Sequence, residues 1–281
     1  MPQLEAGMML AQLLKCDRNR LYLDRDFEVS NENIEKYIAL VNERCMGAPI
    51  QYIIRQKEFM GLDFYVDGRV LIPRADTECI VEHVIEYASK LDSSVVKILD
   101  VGTGSGAIAV SLAHYLSKGP KALITAIDID CGALEVARMN AASHGLESRI
   151  RLLEGDLFSP LEENKEYKMF DIMVSNPPYI KTSDINGLQR QVRDFEPRRA
   201  LDGGEDGLHF YRRLAREALP FLVDGALWVV EVGYDQADKV ADILNKMNCY
   251  RDIYFIKDLQ GYDRGVAAIL ELEGANVCWK S

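Results

Sequence analysis

The residues best suited to chemistry form the stretch Asn176-Pro177-Pro178-Tyr179, which follows the apolar run 170–174. The run has the composition of a buried strand, and the two prolines end it because proline lacks the N–H that a strand ladder needs. Asn176 is therefore predicted at a rigid strand end. Its side-chain carbonyl and the Pro177 carbonyl can each accept an N–H, and the Tyr179 ring can stack on a planar group. The stretch suits a planar substrate that carries an –NH2 group.

An ordinary proline turn with a buried tyrosine is the alternative for these four residues taken alone, because short motifs occur by chance. A glycine loop upstream favours the functional interpretation. The predicted strand 97–101 leads into Gly102-Thr103-Gly104-Ser105-Gly106, where glycines let the backbone approach a ligand and let a helix start tightly. The spacing differs from the Gly-x-Gly-x-x-Gly of dinucleotide sites, and the sequence has no Gly-Lys-Ser/Thr phosphate loop.

Two acidic residues follow the next two predicted strands. Asp128 ends strand 122–127, where an acid can chelate a ribose diol, and Asp156 follows strand 150–153, where it can meet an adenine amine. Each acid alone could be a helix cap or a loop residue. A glycine loop, a ribose acid and an adenine acid at three successive strand ends together favour S-adenosylmethionine over NAD.

The elements that must position these residues alternate between strand and helix from residue 97 onward. Helices are predicted from the glycine loop to about 116, up to about 143, and at 206–219 and 235–247. Strands are predicted at 97–101, 122–127, 150–153, 170–174, 226–232, 251–257 and 265–272. This alternation predicts an α/β fold with a mostly parallel seven-stranded sheet covered on both faces, and ligands bind beyond the carboxyl ends of such strands.

The first part of the chain predicts a smaller unit. Apolar residues at helical spacing cover 3–16 and 31–46, and Ser30 can cap the second helix. Clusters of β-forming residues at 52–54, 59, 64–66 and 70–72 predict strands of a hairpin.

We therefore expect an N-terminal helical domain at 1–50, a β-hairpin linker at 51–75 and a catalytic domain at 76–281. Arg74 and Glu78, at the second junction, are expected to border the mouth of the active site.

Composition and charge exclude several classes. The formal charge of −11, from 33 Lys and Arg against 44 Asp and Glu, argues against broad binding to nucleic acid or anionic membranes. The six cysteines are scattered without a Cys-x-x-Cys pair, as in reduced thiols of a cytosolic protein. No apolar run reaches the ~18 residues of a membrane helix, and the N-terminus lacks a signal-peptide pattern. We expect a cytoplasmic protein with no metal, no membrane contact and no direct nucleic-acid binding.

The combined motifs resemble those of class I amino-methyltransferases and, among them, the release-factor glutamine N5-methyltransferases of the HemK/PrmC family. Arg55 and Ala75 depart from the family's pattern, which commonly has glycine and usually proline at these positions. The principal shared motifs are Ile98–Gly106, Asp128, Gly155-Asp156 and Asn176–Tyr179. Further similar stretches, which extend the resemblance over nearly the full length, are Glu58–Leu62, Leu71–Arg74, Asp76–Glu78, Phe195–Pro197, Ala200-Leu201, Asp206–Leu208 and Glu231–Gly233.

The resemblance implies a Rossmann-like methyltransferase sheet and a defined reaction. The methyl group of S-adenosylmethionine would pass to the side-chain amide nitrogen of the glutamine in a Gly-Gly-Gln loop of peptide-chain release factors, leaving S-adenosylhomocysteine. The catalytic and substrate-binding residues implied are Asn176, Pro177, Pro178 and Tyr179. The cofactor-binding residues implied are Gly102, Thr103, Gly104, Ser105, Gly106, Asp128, Asp156, Leu157 and Asn176. We expect a monomer whose partner is a release factor.

The chemistry accounts for these residue types. An amide nitrogen is a poor nucleophile because its lone pair is delocalised into the carbonyl. Acceptors from Asn176 and Pro177 can hold both N–H bonds, favour pyramidal geometry and stabilise the positive charge that develops on nitrogen.

Two other functions fit parts of the pattern. An N6-adenine nucleic-acid methyltransferase would use the same four residues on a flipped base, but the net charge and the lack of an obvious target-recognition domain argue against it. Residues 181–216 carry eight Lys and Arg against six Asp and Glu, an excess of +2 that a solvated helix face explains. A non-enzymatic sensor of adenosyl ligands would leave Asn176–Tyr179 without a role.

Overall fold

The protein was analysed as a computed structural model, which describes residues 2–23, 28–118 and 121–272. The first described elements are four helices and a short hairpin of two antiparallel strands. The predicted helices at 3–16 and 31–46 are present, and Ser30 Oγ accepts the Asn33 N–H at 3.3 Å as the N-cap of the third helix. These elements are α1 (Pro2–Leu14), α2 (Arg20–Leu23), α3 (Asn31–Cys45), α4 (Ile50–Ile54), β1 (Lys57–Phe59) and β2 (Leu62–Phe64).

The prediction of β-structure at Tyr52-Ile53-Ile54 is wrong, because these residues form α4. All three are buried: the isoleucines pack with Met9, and Tyr52 packs elsewhere, with Val66. Packing on two sides thus overrides a local preference for strand. Arg55 ends α4 in the left-handed region with φ 58°, a conformation that explains why glycine is common there in the family.

The predicted strand at residues 70–72 is also wrong. Val70 and Ile72 are buried in an irregular segment, where they pack with Ala133 and Val136. The hairpin is therefore confined to β1 and β2. The division of the chain at residues 50 and 75 stays a prediction, and the first boundary falls on the first residue of α4.

A seven-stranded sheet follows and confirms the predicted fold class. The strand order is β5-β4-β3-β6-β7-β9-β8. The first five strands in this order run parallel, and β9 pairs antiparallel with β7 and β8. The strands are β3 (Val95–Val101), β4 (Lys121–Asp128), β5 (Ile150–Glu154), β6 (Phe170–Ser175), β7 (Leu222–Glu231), β8 (Tyr250–Lys257) and β9 (Asp263–Leu270).

Helices cover both faces of the sheet. Alternate residues of β3, Ile98 and Leu99, enter different core clusters, because successive strand residues point to opposite faces. The first face packs against α5 and α6, and the second against α8, α10 and α11. The helices are α5 (Glu78–Lys90), α6 (Ala107–Tyr115), α7 (Cys131–Ser143), α8 (Ser159–Glu163), α9 (Arg190–Arg193), α10 (His209–Glu217) and α11 (Ala237–Met247).

The strand order reverses at β3, whose neighbours are β4 and β6. Because β3 to β7 are parallel, their carboxyl ends meet at one edge of the sheet. This edge carries the glycine loop, Asp128, Asp156, Asn176 and Glu231. It is the position where α/β sheets of this kind bind ligands.

Two sequence expectations bear on the whole chain. Among the helices that the structure describes, none is long and apolar enough to span a membrane. The five cysteines in the described ranges are free thiols, and Cys278 lies outside them.

Candidate functional site

The glycine loop turns between β3 and α6 and is held by the end of β4. Gly102 and Gly104 have φ of +76° and +55°, a region that residues with a side chain rarely adopt. The Gly102 N–H donates to the Ile127 carbonyl at 2.8 Å, and the Gly104 N–H donates to Asp128 Oδ2 at 2.8 Å. A Cβ on either glycine would meet no atom within 4 Å, so both open onto free space.

The other three predicted loop residues face the protein interior. A Cβ on Gly106 would lie 3.1 Å from that of Ala137, so this glycine lets α6 and α7 pack closely. Thr103 Oγ1 donates to Asp100 Oδ2 at 2.6 Å, and the Ser105 carbonyl accepts from a buried asparagine of α7 at 2.8 Å. These residues shape the loop from behind.

Asp100 is a fully buried carboxylate beneath the loop. Burial raises the pKa of its carboxyl group to about 7, and the bond from Thr103 works in the opposite direction.

A cavity of about 560 Å³ lies over the loop, within the size range of small-molecule sites. Three arginines that the sequence interpretation did not assign, Arg69, Arg199 and Arg213, also line it. Six of the predicted cofactor residues line it: Gly102, Gly104, Asp128, Asp156, Leu157 and Asn176. The same cavity reaches Asn176, Pro177 and Pro178 at the end of β6.

The two predicted acids differ in their surroundings. Asp128 is held by backbone, with Oδ1 accepting the Asp130 N–H at 2.9 Å, and burial raises its pKa. Asp156 is more exposed, and its oxygens accept bonds of 3.0 and 2.9 Å from Arg213 of α10, which also pairs with Glu217. A carboxylate has lone pairs left after two such bonds, so Asp156 keeps the capacity to accept from a ligand.

A second, smaller cavity adjoins the first. Its volume is about 130 Å³, and Arg74 and Tyr179 are among its lining residues. Asn176 and Pro177 line both cavities. A space of this size is below the range of small-molecule sites and suits the end of a side chain.

Backbone packing fixes Tyr179. Its carbonyl accepts from Gln236 Nε2 at 2.9 Å, and the next residue pairs with the segment before Gly203. A Cβ on Gly203 would lie 2.7 Å from Tyr179 Cα, and one on Gly207 would lie 2.5 Å from the Tyr179 carbonyl oxygen. Glycine is therefore required at both positions for the chain to pass Tyr179. Sequence reasoning noted Gly207 only as part of the family resemblance and missed Gln236.

A buried hydrogen-bonded chain lies behind Asn176 and Tyr179. Asn176 Nδ2 donates to Thr77 Oγ1 at 3.1 Å, and Thr77 Oγ1 donates to Glu231 Oε2 at 2.5 Å. The Tyr179 hydroxyl donates to Glu231 Oε1 at 3.3 Å. Burial raises the pKa of Glu231 to about 7, while the two hydroxyl donors lower it.

The two residues expected at the active-site mouth, Arg74 and Glu78, lie in different places. Arg74 lines the smaller cavity, and its Nη2 donates to both oxygens of Glu196 at 2.6 and 2.8 Å. Glu78 instead accepts the Met60 N–H at 2.9 Å at the turn of the hairpin and lines neither cavity. Within the described residues, no group of three or more His, Cys, Asp or Glu side chains could hold a metal ion.

Comparison with known proteins identifies the family. Residues 1–54 match the model of the PrmC N-terminal domain, and residues 92–201 match that of a methyltransferase domain. A release factor glutamine methyltransferase of Moorella thermoacetica is 43% identical over 263 residues, which covers 94% of this chain and 89% of that protein. The chain belongs to the release factor glutamine methyltransferases. The family predicted from the motifs is confirmed.

Other relatives agree with this family. The release factor glutamine methyltransferase of Geobacter sulfurreducens is 41% identical over 264 residues, covering 94% of this chain and 88% of that protein. A crystal structure of a methyltransferase from Pyrococcus furiosus is 19% identical, with a TM-score of 0.52 over 77% of this chain and 92% of that one. At that identity the second likeness establishes the methyltransferase fold alone.

Proposed function

We propose that this protein transfers the methyl group of S-adenosylmethionine to the side-chain amide nitrogen of the glutamine in the Gly-Gly-Gln loop of peptide-chain release factors. The observation that carries the proposal is the meeting of the two cavities at Asn176 and Pro177. The larger cavity has room for an adenosyl cofactor, and the smaller one has room for the end of a glutamine side chain. The methyl group would then pass from the larger cavity to the smaller one at the point where the two meet.

The larger cavity fits S-adenosylmethionine, which supplies an activated methyl group on a sulfonium. Gly102 and Gly104 present backbone without a Cβ on the cavity side, so a ligand can approach closely. Asp128 would accept the ribose hydroxyls, and Asp156 with Leu157 would border the adenine. Asp128 is already bonded to the loop through Gly104, so one carboxylate would hold the loop and the ribose together.

The smaller cavity fits a primary amide. Asn176 Oδ1 and the Pro177 carbonyl would accept its two N–H bonds, and the Tyr179 ring would restrain its plane. The positive charge that develops on nitrogen would be stabilised by these oxygens, and a single group of this kind contributes about 10²–10³ in rate. Alignment of the nitrogen with the methyl group contributes several kcal/mol more, on the order of other well-oriented reactions. The alkylated amide nitrogen is acidic, so its proton can leave to water without a dedicated base.

Charge at the cavity mouth favours a protein substrate over a nucleic acid. Several arginines between residues 190 and 216 are paired with acids, which leaves little positive charge for phosphates. The pairs include Arg193–Asp194 at 2.7 Å, Arg199–Asp130 at 3.0 Å and Arg213–Asp156 at 2.9 Å. The proposal includes a monomeric enzyme of the cytoplasm, where the free thiols of the described cysteines stay reduced.

The test is mass mapping after incubation of the full chain with methyl-labelled S-adenosylmethionine and an intact release factor. We expect label on one glutamine, and none when that glutamine of the release factor is changed to glutamate, because the –NH2 group is then absent. A short Gly-Gly-Gln peptide should react much more slowly, because contacts remote from the amide help to position it.

DNA and RNA serve as parallel substrates in the same assay. We expect no measurable methylation of either. Label in the glutamate variant, or label entering DNA or RNA at a comparable rate, would overturn the proposal.

A further inference from the structure

The carboxamide of Asn176 can serve as an acceptor only in one of its two orientations. Its Oδ1 must face the smaller cavity, since a Nδ2 in that position would present hydrogens to the hydrogens of the substrate amide. The two orientations have nearly the same shape, so packing distinguishes them poorly and hydrogen bonds must select one. The structure shows Nδ2 turned inward, 3.1 Å from Thr77 Oγ1.

The direction of this bond follows from Glu231. A threonine hydroxyl has one hydrogen, and Thr77 donates it to Glu231 Oε2. Its oxygen is then left as an acceptor, which can bind Nδ2 of Asn176 but not Oδ1. An ionised Glu231 has no hydrogen to give, so it commits the hydroxyls of both Thr77 and Tyr179 to point toward it.

The position of Thr77 supports a dedicated role. It is the last residue of the short 3₁₀ helix Ala75–Thr77, which runs directly into α5, so its backbone is helical with φ −71° and ψ −21°. Its side chain makes no capping bond. Thr77 and Glu231 are both buried, and they are 154 positions apart in the chain. The hydroxyl thus connects two residues from distant parts of the chain, Asn176 and Glu231.

We propose that Thr77 and Glu231 are positioning residues that orient the Asn176 carboxamide, so that its oxygen faces the methyl-accepting amide. The inference rests on the proposed function, since it concerns the same acceptor site. Glu231 also holds Tyr179, so one carboxylate orients two of the four residues of the Asn-Pro-Pro-Tyr stretch. Neither residue touches the substrate in this arrangement.

The charge of Glu231 is set by groups from several elements. Burial raises its pKa, Asp76 raises it further, and Arg264 lowers it. Arg264 is itself paired with Asp76 at 3.2 Å, so the two charges largely offset each other at Glu231. The titratable groups that face Glu231 are Asp76, Cys79, Tyr179, Tyr211 and Arg264.

The first test compares Thr77→Val with Thr77→Ser by single-turnover rates on an intact release factor at saturating S-adenosylmethionine. Valine keeps the shape but removes the acceptor, so the Asn176 amide is no longer held. We expect the rate to fall roughly 10–100-fold, less than the loss of a whole charge-stabilising group. Serine keeps the hydroxyl, and its rate should stay within a few-fold of that of the unaltered protein.

The second test uses pH, since Thr77→Val leaves a buried carboxylate short of a partner and can fail to fold. The rate of the unaltered protein should fall as pH decreases through about 7, because a neutral Glu231 no longer commits both hydroxyls. Glu231→Gln should be slower, and its rate should lack this pH dependence. Asp100→Asn is the matched control, because it removes the other buried acid with a pKa of about 7 and should keep the dependence.

Unchanged cofactor affinity by calorimetry would show that the variants are folded. A rate for Thr77→Val within two-fold of normal, equal losses for valine and serine, or the same acid limb in Glu231→Gln would overturn the inference. Each of these results requires an active unaltered protein. Failure of the proposed function is distinct, because then the unaltered protein itself would place no label on the release-factor glutamine.

Discussion

Two buried carboxylates, Asp100 and Glu231, lie behind the two halves of the site. The first half is the larger cavity with the glycine loop, and the second half is the smaller cavity with Asn176 and Tyr179. Burial raises the pKa of each carboxylate to about 7, and each accepts a bond from a threonine. Asp100 lies beneath the glycine loop, whose ligand-facing groups are backbone. Glu231 lies behind Asn176 and Tyr179, where a side-chain amide and an aromatic ring face the smaller cavity.

The difference predicts how each half responds to substitution. A surface made of backbone depends on the conformation of the loop. This conformation is held by hydrogen bonds that the N–H groups of Gly102 and Gly104 donate to the end of β4. A surface made of side chains depends on hydrogen-bond direction and on the packing behind it. We therefore expect substitutions in the first half to change cofactor affinity and those in the second half to change turnover.

The largest effect should come from Asn176→Ala. The variant loses one acceptor for the substrate amide, so turnover should fall by about 10²–10³. Cofactor affinity measured by calorimetry should change little, because the loop and Asp128 remain. Asn31→Ala, at an exposed position of α3, is the matched control and should behave as the unaltered protein does. Near-normal turnover of Asn176→Ala would remove Asn176 from the acceptor site.

A somewhat smaller effect is expected from Gly203→Ala. The added Cβ would lie 2.7 Å from Tyr179 Cα, so the backbone of Tyr179 must move. A displacement of about 1 Å at a reacting group can cost roughly 10² in rate, and we expect a loss of up to that size. In Gly187→Ala the new Cβ meets nothing within 4 Å, which makes it the control. Loss of cofactor binding in Gly203→Ala, with turnover at saturation intact, would contradict the separation of the two halves.

Asp128→Ala should weaken cofactor binding in the first half of the site. The variant loses charge-assisted bonds to the ribose and the bond to Gly104, so affinity for S-adenosylmethionine should fall by about 10–100-fold. Turnover at saturating cofactor should fall much less. The exposed Asp238→Ala of α11 controls for the loss of one negative charge. Calorimetry that gives equal affinities for Asp128→Ala and the unaltered protein would exclude Asp128 from the cofactor site.

The smallest effect concerns stability. The pKa of Asp100 is raised from 3.8 to about 7 in the folded protein, so the folded state binds a proton more tightly than the unfolded chain. Its contribution to the free energy of unfolding is therefore present at low pH and is lost as pH rises from about 4 to 7. Urea unfolding should show that the free energy of unfolding of Asp100→Asn rises relative to that of the unaltered protein from pH 5 to pH 8, by on the order of 1 kcal/mol.

A difference in the free energy of unfolding between Asp100→Asn and the unaltered protein that stays constant over that pH range would show that Asp100 is ionised throughout. Glu231→Gln should change in the same direction as Asp100→Asn, because the pKa of Glu231 is also raised to about 7. A pH dependence found for only one of the two variants would mean that the other carboxylate is already ionised at pH 5.

The sheet could be predicted from the sequence because its central strands β3, β6 and β7 carry apolar runs, the pattern of strands buried on both faces. The errors lie where local preference and packing disagree: Tyr52-Ile53-Ile54 is rich in β-formers but folds into α4. The short helices α2, α8 and α9 were not predicted, since four or five residues carry too little periodicity.

The candidate-site residues that the sequence could indicate are those that end a strand. Asp128 and Asn176 were found in this way, and both line the larger cavity. Glu231 carries the same signal, an acid in an apolar run, but was noted only as part of the family resemblance. Its bond to Thr77 spans 154 positions and cannot be inferred from either segment alone. The partner of Asp156, Arg213 of α10, was missed for the same reason.

The wall that the two cavities share has a consequence for chemical inhibition. Because Asn176 and Pro177 line both cavities, an adenosine joined by a short linker to a primary carboxamide could occupy both with one molecule. Its second half would bind at the high effective concentration that the linker imposes. Selectivity would come from the smaller cavity, where Arg74 and Tyr179 restrict what the carboxamide end can be.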